Sequence, residues 1–421
     1  MVDYERLRPE QREWDLAGVQ RLLGRSGARS AARPAVQVAG SKGKGTTAAF
    51  LESLATASGR LVGCYSSPHV ETMLERIRVD GERVPVEALE RLLAELLRVD
   101  PQRPPTFFEA MTAAAVEWFA ERQVDLAVYE VGLGGRHDAT TAVDVDAAVV
   151  THIELEHTEV LGDTVTAIAG EKAPAIRPGG LGITSTTGEA LAVIRAHARR
   201  VGAELLVLGE DFGVRELDHG DAAARGVLWL PDGRSSRFTL PGASAFSLPA
   251  FALAAATLVR VVPDIDLQLD PVPAPQLPCR FELFEDLDGA PLVLDGAHTE
   301  GSLRAVAEEL SRRMPGCRAS VLTAAAAGKR WREGLSALLP IADDFVVTEL
   351  SGTPCEDPAT IAGWLAAGGA KSEVAADAVA GLRALRERPG PRLVVGSFYL
   401  AGAVRQLVVN DRSREPNERE P

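Results

Sequence analysis

The chain has 421 residues, 46% hydrophobic and 25% charged, with a net charge of −14 at pH 7. Its length implies two domains, and its balance is that of an ordinary globular chain. The acidity argues against a nucleic-acid binder, whose footprint is a basic face, and no apolar run reaches membrane-span length without interruption.

The charged stretch Met1–Glu13 has no apolar core of a secretory signal. Cys64, Cys279, Cys317 and Cys355 share no metal-site spacing and read as small hydrophobes in a reducing cytosol. A cytoplasmic location is expected.

The first predicted strand, Ala35–Ala39, runs into Gly40-Ser41-Lys42-Gly43-Lys44-Gly45-Thr46-Thr47, and Thr46–Ser58 reads as a helix. A glycine-rich turn between strand and helix lets Gly40, Gly43 and Gly45 bring backbone N–H groups onto phosphate oxygens, with the helix N-terminus behind them. Lys44 would reach the β/γ-phosphates, and a Thr46 or Thr47 hydroxyl would hold Mg²⁺. The spacing departs from G-x-x-x-x-G-K-[ST], because Val38 stands at the first glycine position and Gly45 separates the lysine from the threonine.

Further strands are expected at Leu61–Tyr65, Leu126–Val131, Ala147–Ile153, Gly182–Thr184 and Glu204–Leu208, with helices at Pro85–Arg98, Phe107–Arg122 and Val165–Ile176 between them. Such alternation indicates a mostly parallel α/β sheet. Phe212–Leu240 changes to short alternating segments with an Asp232-Gly233 turn, a small antiparallel insertion. A helix over Phe246–Val262 precedes the proline-rich Pro271–Pro278, read as a stiff linker. The alternation restarts with strands at Leu292–Asp295, Ala319–Thr323, Asp344–Thr348 and Leu393–Val395 and a helix at Gly301–Arg313. The expected domains are 1–270, a P-loop ATPase domain, and 280–409, a smaller Rossmann-like α/β domain. Residues 271–279 link them, and the polar tail 410–421 reads as disordered.

Polar residues cluster where strands end, the usual ligand position of an open α/β sheet. Glu130 follows the apolar run Leu126–Tyr129 and can supply an oxygen ligand to a phosphate-bound Mg²⁺. His69, His137, His152, His157 and His298 all lie near predicted strand ends, and as a group they favour a polar, metal-compatible site. Lys172, among the small residues Ala169-Gly170 and Ala173, reads by default as a solvated or salt-bridged surface lysine.

In order and spacing these motifs resemble the dihydrofolate synthase/folylpolyglutamate synthase family of the Mur ligase superfamily. The likeness runs from Val36 to Gly402. It rests on Val38–Thr46, Ser66–His69, Glu75–Ile77, Thr106–Glu109, Glu130–Thr140, His157–Gly162, Ile168–Ala173, Arg280–Glu282, Asp295–His298 and Gly396–Leu400. The resemblance implies ATP-dependent amide formation between a folate-type carboxylate and L-glutamate through an acyl phosphate. Lys44 and Mg²⁺ would neutralise the anions brought together. It places Thr46, Ser67 and Glu130 at Mg²⁺, His157 at a second metal and a carbamylated Lys172 beside it. Arg280 would contact phosphate, while Asp295 and His298 would serve the nucleotide and the incoming glutamate. Charge and hydropathy give no expectation of nucleic-acid or membrane partners, and a monomer is expected.

Several positions depart from the family pattern. Ser41-Lys42 replaces Thr-Asn in the loop, Glu156 replaces the Asp before the metal histidine, and Thr141 replaces an Asn. Ala243–Leu248 stands where a His-Gln pair and an Asn are usual, Thr299-Glu300 replaces Asn-Pro, and Lys329-Arg330 replaces Lys-Asp. These leave two alternatives: the same chemistry with another acid acceptor or amino acid, or a nucleotide-binding module without turnover. A simple P-loop kinase or GTPase does not account for the second domain.

Overall fold

The computed structural model describes residues 15–26, 34–219, 223–242, 247–273, 275 and 277–414. They form two compact units, residues 1–69 with 73–276 and residues 70–72 with 277–421. Among the described residues, no helix is long and apolar enough to cross a membrane.

The first unit is built on β1 (Ala35–Ala39), β2 (Val62–Tyr65), β3 (Ile77–Val79), β4 (Glu82–Arg83), β5 (Leu126–Glu130), β6 (Ala147–Val150), β7 (Leu181–Thr184) and β8 (Glu204–Val207). Their order is β4-β3-β2-β5-β1-β6-β7-β8. The pairs β2–β3 and β3–β4 are antiparallel and the rest parallel. Around them lie α1 (Ala17–Ser26), α2 (Lys44–Ala57), α3 (Val86–Leu96), α4 (Phe107–Arg122), α5 (Thr158–Leu161), α6 (Val165–Lys172), α7 (Gly188–Val201) and α8 (Ser247–Val261). The central β1 is flanked by β5 and β6, so the sheet order reverses beside the loop that leaves β1. This is the crevice where ligands of open α/β sheets bind.

β1 and β5 are buried at every position, which is why they read as continuous apolar runs rather than alternating ones. α4 starts where predicted because Thr106 and Glu109 form a reciprocal capping box. The antiparallel insertion is the sheet of β9 (Gly213–His219), β10 (Ala223–Trp229) and β11 (Ser235–Pro241). Its Phe238 packs 5.2 Å from Phe251 of α8, which packs 5.9 Å from Phe50 of α2. Burying rings of this size stabilises by about 1.5–3 kcal/mol each. The insertion thus buttresses the helix that follows the glycine-rich loop.

The second unit carries β12 (Glu282–Glu285), β13 (Pro291–Leu294), β14 (Ala319–Thr323), β15 (Ala342–Val347), β16 (Lys371–Val374) and β17 (Arg392–Val395). The order is β12-β13-β17-β14-β15-β16, parallel except for β12–β13. Its helices are α9 (Glu300–Arg313), α10 (Trp331–Ser336), α11 (Pro358–Ala367), α12 (Ala378–Arg386) and α13 (Phe398–Arg414). The expected class, a mostly parallel P-loop domain plus a smaller Rossmann-like one, is the architecture observed. The unit also takes in residues 70–72, where Glu71 pairs with Arg405.

Two expectations change. The proline-rich segment is not a free stiff rod: Val272 sits in the core of the first unit with its N–H on Thr239 O at 2.8 Å. Cys279 is buried in the second unit, its N–H on Glu282 at 2.9 Å. Nor is 410–414 part of a disordered tail, because α13 runs through Arg414. Asp411 pairs with Arg386 at 2.8 Å and Arg412 lies over the Phe284 ring, so this polar segment has partners that composition does not reveal. Residues 415–421 of that tail and 243–246 of the departing segment lie outside the described residues.

Candidate active site

The loop between β1 and α2 is shaped by Gly40 and Gly43. Gly40 has φ +140°, and a Cβ there would stand 1.9 Å from Thr151 Oγ1. Gly43, at φ +88°, is the N-cap of α2, which has no side-chain cap. The first amides of α2 therefore have no side-chain partner at the cap, the arrangement that receives an anion. Ser41 and Lys42 donate their N–H groups to His152 O at 2.8 and 3.2 Å, which pins the loop to the end of β6. Gly40→Ala is expected to distort this loop through strain on the order of 1–3 kcal/mol. Its check is the thermal shift on adding ATP and Mg²⁺, which should vanish while the ligand-free midpoint falls by only several degrees; a retained shift would overturn the assignment.

Lys44 folds over the loop, its Nζ donating to Gly40 O at 2.8 Å and Ser41 O at 3.2 Å. Thr46 is half-buried on the accessible side of the turn. Thr47 is fully buried, its N–H bonded to Gly43 O at 2.8 Å. Of the two threonines offered by the sequence, Thr46 is the partly exposed one, and the buried Thr47 Oγ1 has no hydrogen-bond partner in the structure.

Glu130 ends β5 beside Val38 and is 2% exposed. Its Oε2 accepts the Ser67 N–H at 2.9 Å, so Ser67 and Glu130 meet. A buried carboxylate and nearby hydroxyls fit a hard cation such as Mg²⁺, which takes oxygen ligands and leaves other positions to water and phosphate. Among the described residues no group of three or more His, Cys, Asp and Glu side chains is arranged to hold a metal.

Lys172 departs most from its default reading, being 1% exposed rather than solvated. It closes α6 with Nζ bonded to Gly40 O at 2.8 Å and Glu156 Oε1 at 2.9 Å. Burial, with Lys44 adding to it, pushes its pKa down to about 8 against the pull of Glu156. For Glu156, burial pushes up, but Lys44 and then Lys172 outweigh it and hold the carboxyl at about 2. Sequence reasoning noted Glu156 as a departure and missed it as a site residue; its signal was an acid next to a candidate metal histidine.

Among the described residues the five histidines join no group of three or more metal-ligating side chains. His69 Nδ1 accepts from Arg76 Nε at 2.9 Å, and burial, then the Arg76 charge, holds it below its usual pKa. His157 caps α5 at φ +47°, with Nδ1 3.8 Å from Glu159. His298 lies in the second unit. His152 and His157 share the connection between β6 and α5, whereas His69, His137 and His298 lie on other connections.

A cavity of about 350 Å³ opens beside Ser67 and Gly132 in the first unit. Arg21, Arg76, Arg103 and His137 supply its basic lining, and Phe108 an aromatic wall. Asp15, Glu109 and Asp138 line it too. Asp15 Oδ1 accepts the Ala17 N–H at 2.8 Å and Glu109 Oε2 the Thr106 N–H at 2.7 Å, while Asp138 Oδ2 accepts from Gly132 and Leu133 N–H and its Oδ1 from Thr140. The cavity thus carries side chains of both charge signs beside one aromatic wall.

In the second unit, Asp295 and His298 follow β13, and Phe398 follows the adjacent β17. Asp295 accepts the N–H groups of Phe281 at 2.6 Å and Ala297 at 2.7 Å. Arg280 lies 5.0 Å over the Phe398 ring, and His298 meets the same ring at 6.3 Å. Phe398 thus brings Arg280 and His298 together. The departing Thr299 is the N-cap of α9, in a capping box with Ser302, and Glu300 pairs with Arg304 at 2.6 Å. In this structure both serve the helix start.

No family model matches the chain. A folylpolyglutamate synthase of Lacticaseibacillus casei is 30% identical over 396 residues, which covers 90% of each chain. A probable bifunctional folylpolyglutamate synthase/dihydropteroate synthase of Haloferax volcanii is 38% identical over 69% of this chain, and the match spans only 36% of that longer protein. Among solved structures, E. coli FolC in complex with DHPP and ADP superposes with a TM-score of 0.86 at 27% identity, covering 97% of this chain and 96% of the other. The Yersinia pestis bifunctional synthase complexed with AMPPNP and Mn ion gives 0.85 at 25% identity, covering 96% of each. Agreement over nearly the full length, in sequence and in fold, decides the matter: the chain belongs to the folylpolyglutamate synthase/dihydrofolate synthase family.

Proposed function

We propose that this chain is an ATP-dependent, ADP-forming ligase that joins a pteroate- or folate-type carboxylate to the amine of L-glutamate, acting as a cytoplasmic monomer. The observation that carries this is one crevice of the first unit. There a glycine-rich loop with Lys44, the Glu130–Ser67 pair and the buried Lys172 adjoin an aromatic-walled cavity lined by three arginines and three acids. The E. coli relative with DHPP and ADP, and the Yersinia relative with AMPPNP and Mn ion, support ATP, Mg²⁺ and a pterin-type acid as its ligands.

In this reading the acid sits in the cavity and its carboxylate attacks the γ-phosphorus, releasing ADP. The glutamate amine then adds to the acyl-phosphate carbonyl, phosphate leaves, and the amine proton is lost. Lys44 sets a fixed positive charge where two anions must approach. Thr46, Ser67 and Glu130 would hold Mg²⁺, with His157 and Lys172 at a second metal. Bound Mg²⁺ supplies charge neutralisation at the phosphates. Arg280, Asp295 and His298 are assigned to the nucleotide phosphates and the incoming glutamate.

Incubation with ATP, Mg²⁺, amino acids and a panel of pteroates and folates tests the reading. ADP should form only when a pterin acid and glutamate are both present. Turnover with other acids or amino acids, and none with any pterin acid, would move the assignment to the same ligase chemistry on another substrate. ATP binding without turnover on any acceptor would leave a nucleotide-binding module.

A further inference from the structure

Gln37 stands in the middle of β1, wholly buried, between Tyr129 of β5 and Ala148 of β6. A long amide in the centre of a buried strand requires an explanation, since unpaired polar groups there are costly. Its Nε2 donates twice, to Thr140 Oγ1 and Thr141 Oγ1, both at 2.8 Å. Each hydroxyl has already used its only proton: Thr140 Oγ1 donates to Asp138 Oδ1 at 2.5 Å, and Thr141 Oγ1 to Gly135 O at 2.6 Å. The pair therefore needs two donors from below, and one amide NH₂ supplies both.

The chain of bonds continues into the cavity wall. Asp138, fixed by Thr140, accepts the N–H groups of Gly132 at 2.9 Å and Leu133 at 3.1 Å. Gly132, Leu133, His137, Asp138 and Ala139 all line the cavity. From the far side Arg177 donates to the carbonyls of Thr141 and Val143. Nothing in the catalytic reading uses Gln37.

We propose that Gln37 is a positioning residue for the acid acceptor: its two amide protons orient Thr140 and Thr141, and through them fix the 132–139 wall of the cavity. This rests on the reading that the cavity takes the acceptor. The phosphate loop leaves the same edge of the sheet, but the side-chain bonds of Gln37 run to Thr140 and Thr141 and on to the 132–139 segment, not to Gly40–Lys44, so acceptor and ATP should respond differently.

Gln37→Met keeps length and volume but has no donor, and Gln37→Glu keeps shape while replacing the NH₂ by an acceptor. Both should raise KM for the pterin acid by about ten- to thirtyfold, the effect of two lost buried hydrogen bonds, and leave KM for ATP unchanged. Thr140→Val should give the same split, Thr140→Ser should restore the parent values, and Gln37→Met with Thr140→Val should be no worse than either alone. Unchanged acceptor KM, a joint rise for both substrates, or additive effects in the double variant would overturn the proposal. Should Gln37→Met fail to fold, Thr140→Val and Thr140→Ser carry the test. Should the parent turn over no pterin acid, the ligase reading fails separately, and amide exchange decides this one. Faster exchange at Gly132 and Leu133 in Gln37→Met, with β5 unchanged, would support positioning, and unchanged exchange there would refute it.

Discussion

Lys44→Ala is expected to lower kcat for ADP formation by about 10²–10³, the usual effect of removing one preorganised charge at a reacting anion. The side chain is partly buried and its ammonium bonds two carbonyls of its own loop, Gly40 O and Ser41 O. Those bonds hold the charge in place before any ligand arrives, so little reorganisation is needed when phosphate binds. Losing them should lower stability by about 1–2 kcal/mol, a shift of a few degrees in Tm, so the variant should purify folded. The substitution has a second, separable signature. Lys44 is a principal charge holding Lys172 and Glu156 below their usual pKa values. Its removal should let both rise, visible as a displaced pH profile of the residual activity. Turnover near that of the parent at saturating ATP would remove the loop from the catalytic assignment.

The glycine-rich turn between β1 and α2 was legible because its signals are local: an apolar strand, glycines that permit positive φ, and a lysine at the helix start. Glu130 was legible for a similar reason, since a carboxylate that ends a continuous apolar run is carried into the interior with it. Lys172 was not. Its helix residues are small and unremarkable, and its burial depends on Gly40 and Glu156, which lie far away in sequence and reach it only through the sheet order. Gln37 was hidden inside a run read as uniformly apolar, although a lone amide in such a run is itself a signal. The tail misled because Asp411 and Arg412 look solvent-bound until Arg386 and Phe284 are placed beside them. Elements were thus recovered where periodicity and turn chemistry suffice, and lost where long-range pairing decides.

Lys172→Ala is expected to abolish measurable ligation and to be the more damaging of the two lysine substitutions to the fold. Removing one partner of a buried ion pair costs up to about 3–5 kcal/mol when the other charge is left uncompensated, and Lys44, which also holds the remaining charge, keeps the cost toward the lower end. Here that charge is Glu156, whose side chain is 11% exposed. The sign of the pH effect follows from its pKa. Glu156 is held at about 2, below its usual 4.5, so its ionisation stabilises the folded chain above pH 4.5, and that contribution is lost as pH falls toward 2. In Lys172→Ala this acid-side dependence should shrink, which urea melts between pH 3 and 6 can read.

The chemical role assigned by family resemblance is testable on the same residue. A lysine at about pKa 8 is roughly one-tenth neutral at pH 7, whereas an ordinary lysine is almost wholly protonated. Only the neutral amine reacts with CO₂, so burial makes carbamylation accessible near neutral pH. Depleting bicarbonate should lower activity, and recovery on its return should be faster at pH 8 than at pH 6. In Lys172→Ala, short-chain carboxylic acids should restore part of the lost turnover by placing a carboxylate in the vacated space. Full activity of Lys172→Ala, or a parent enzyme indifferent to bicarbonate whose alanine variant no acid rescues, would reduce Lys172 to a structural partner of Glu156 and Gly40.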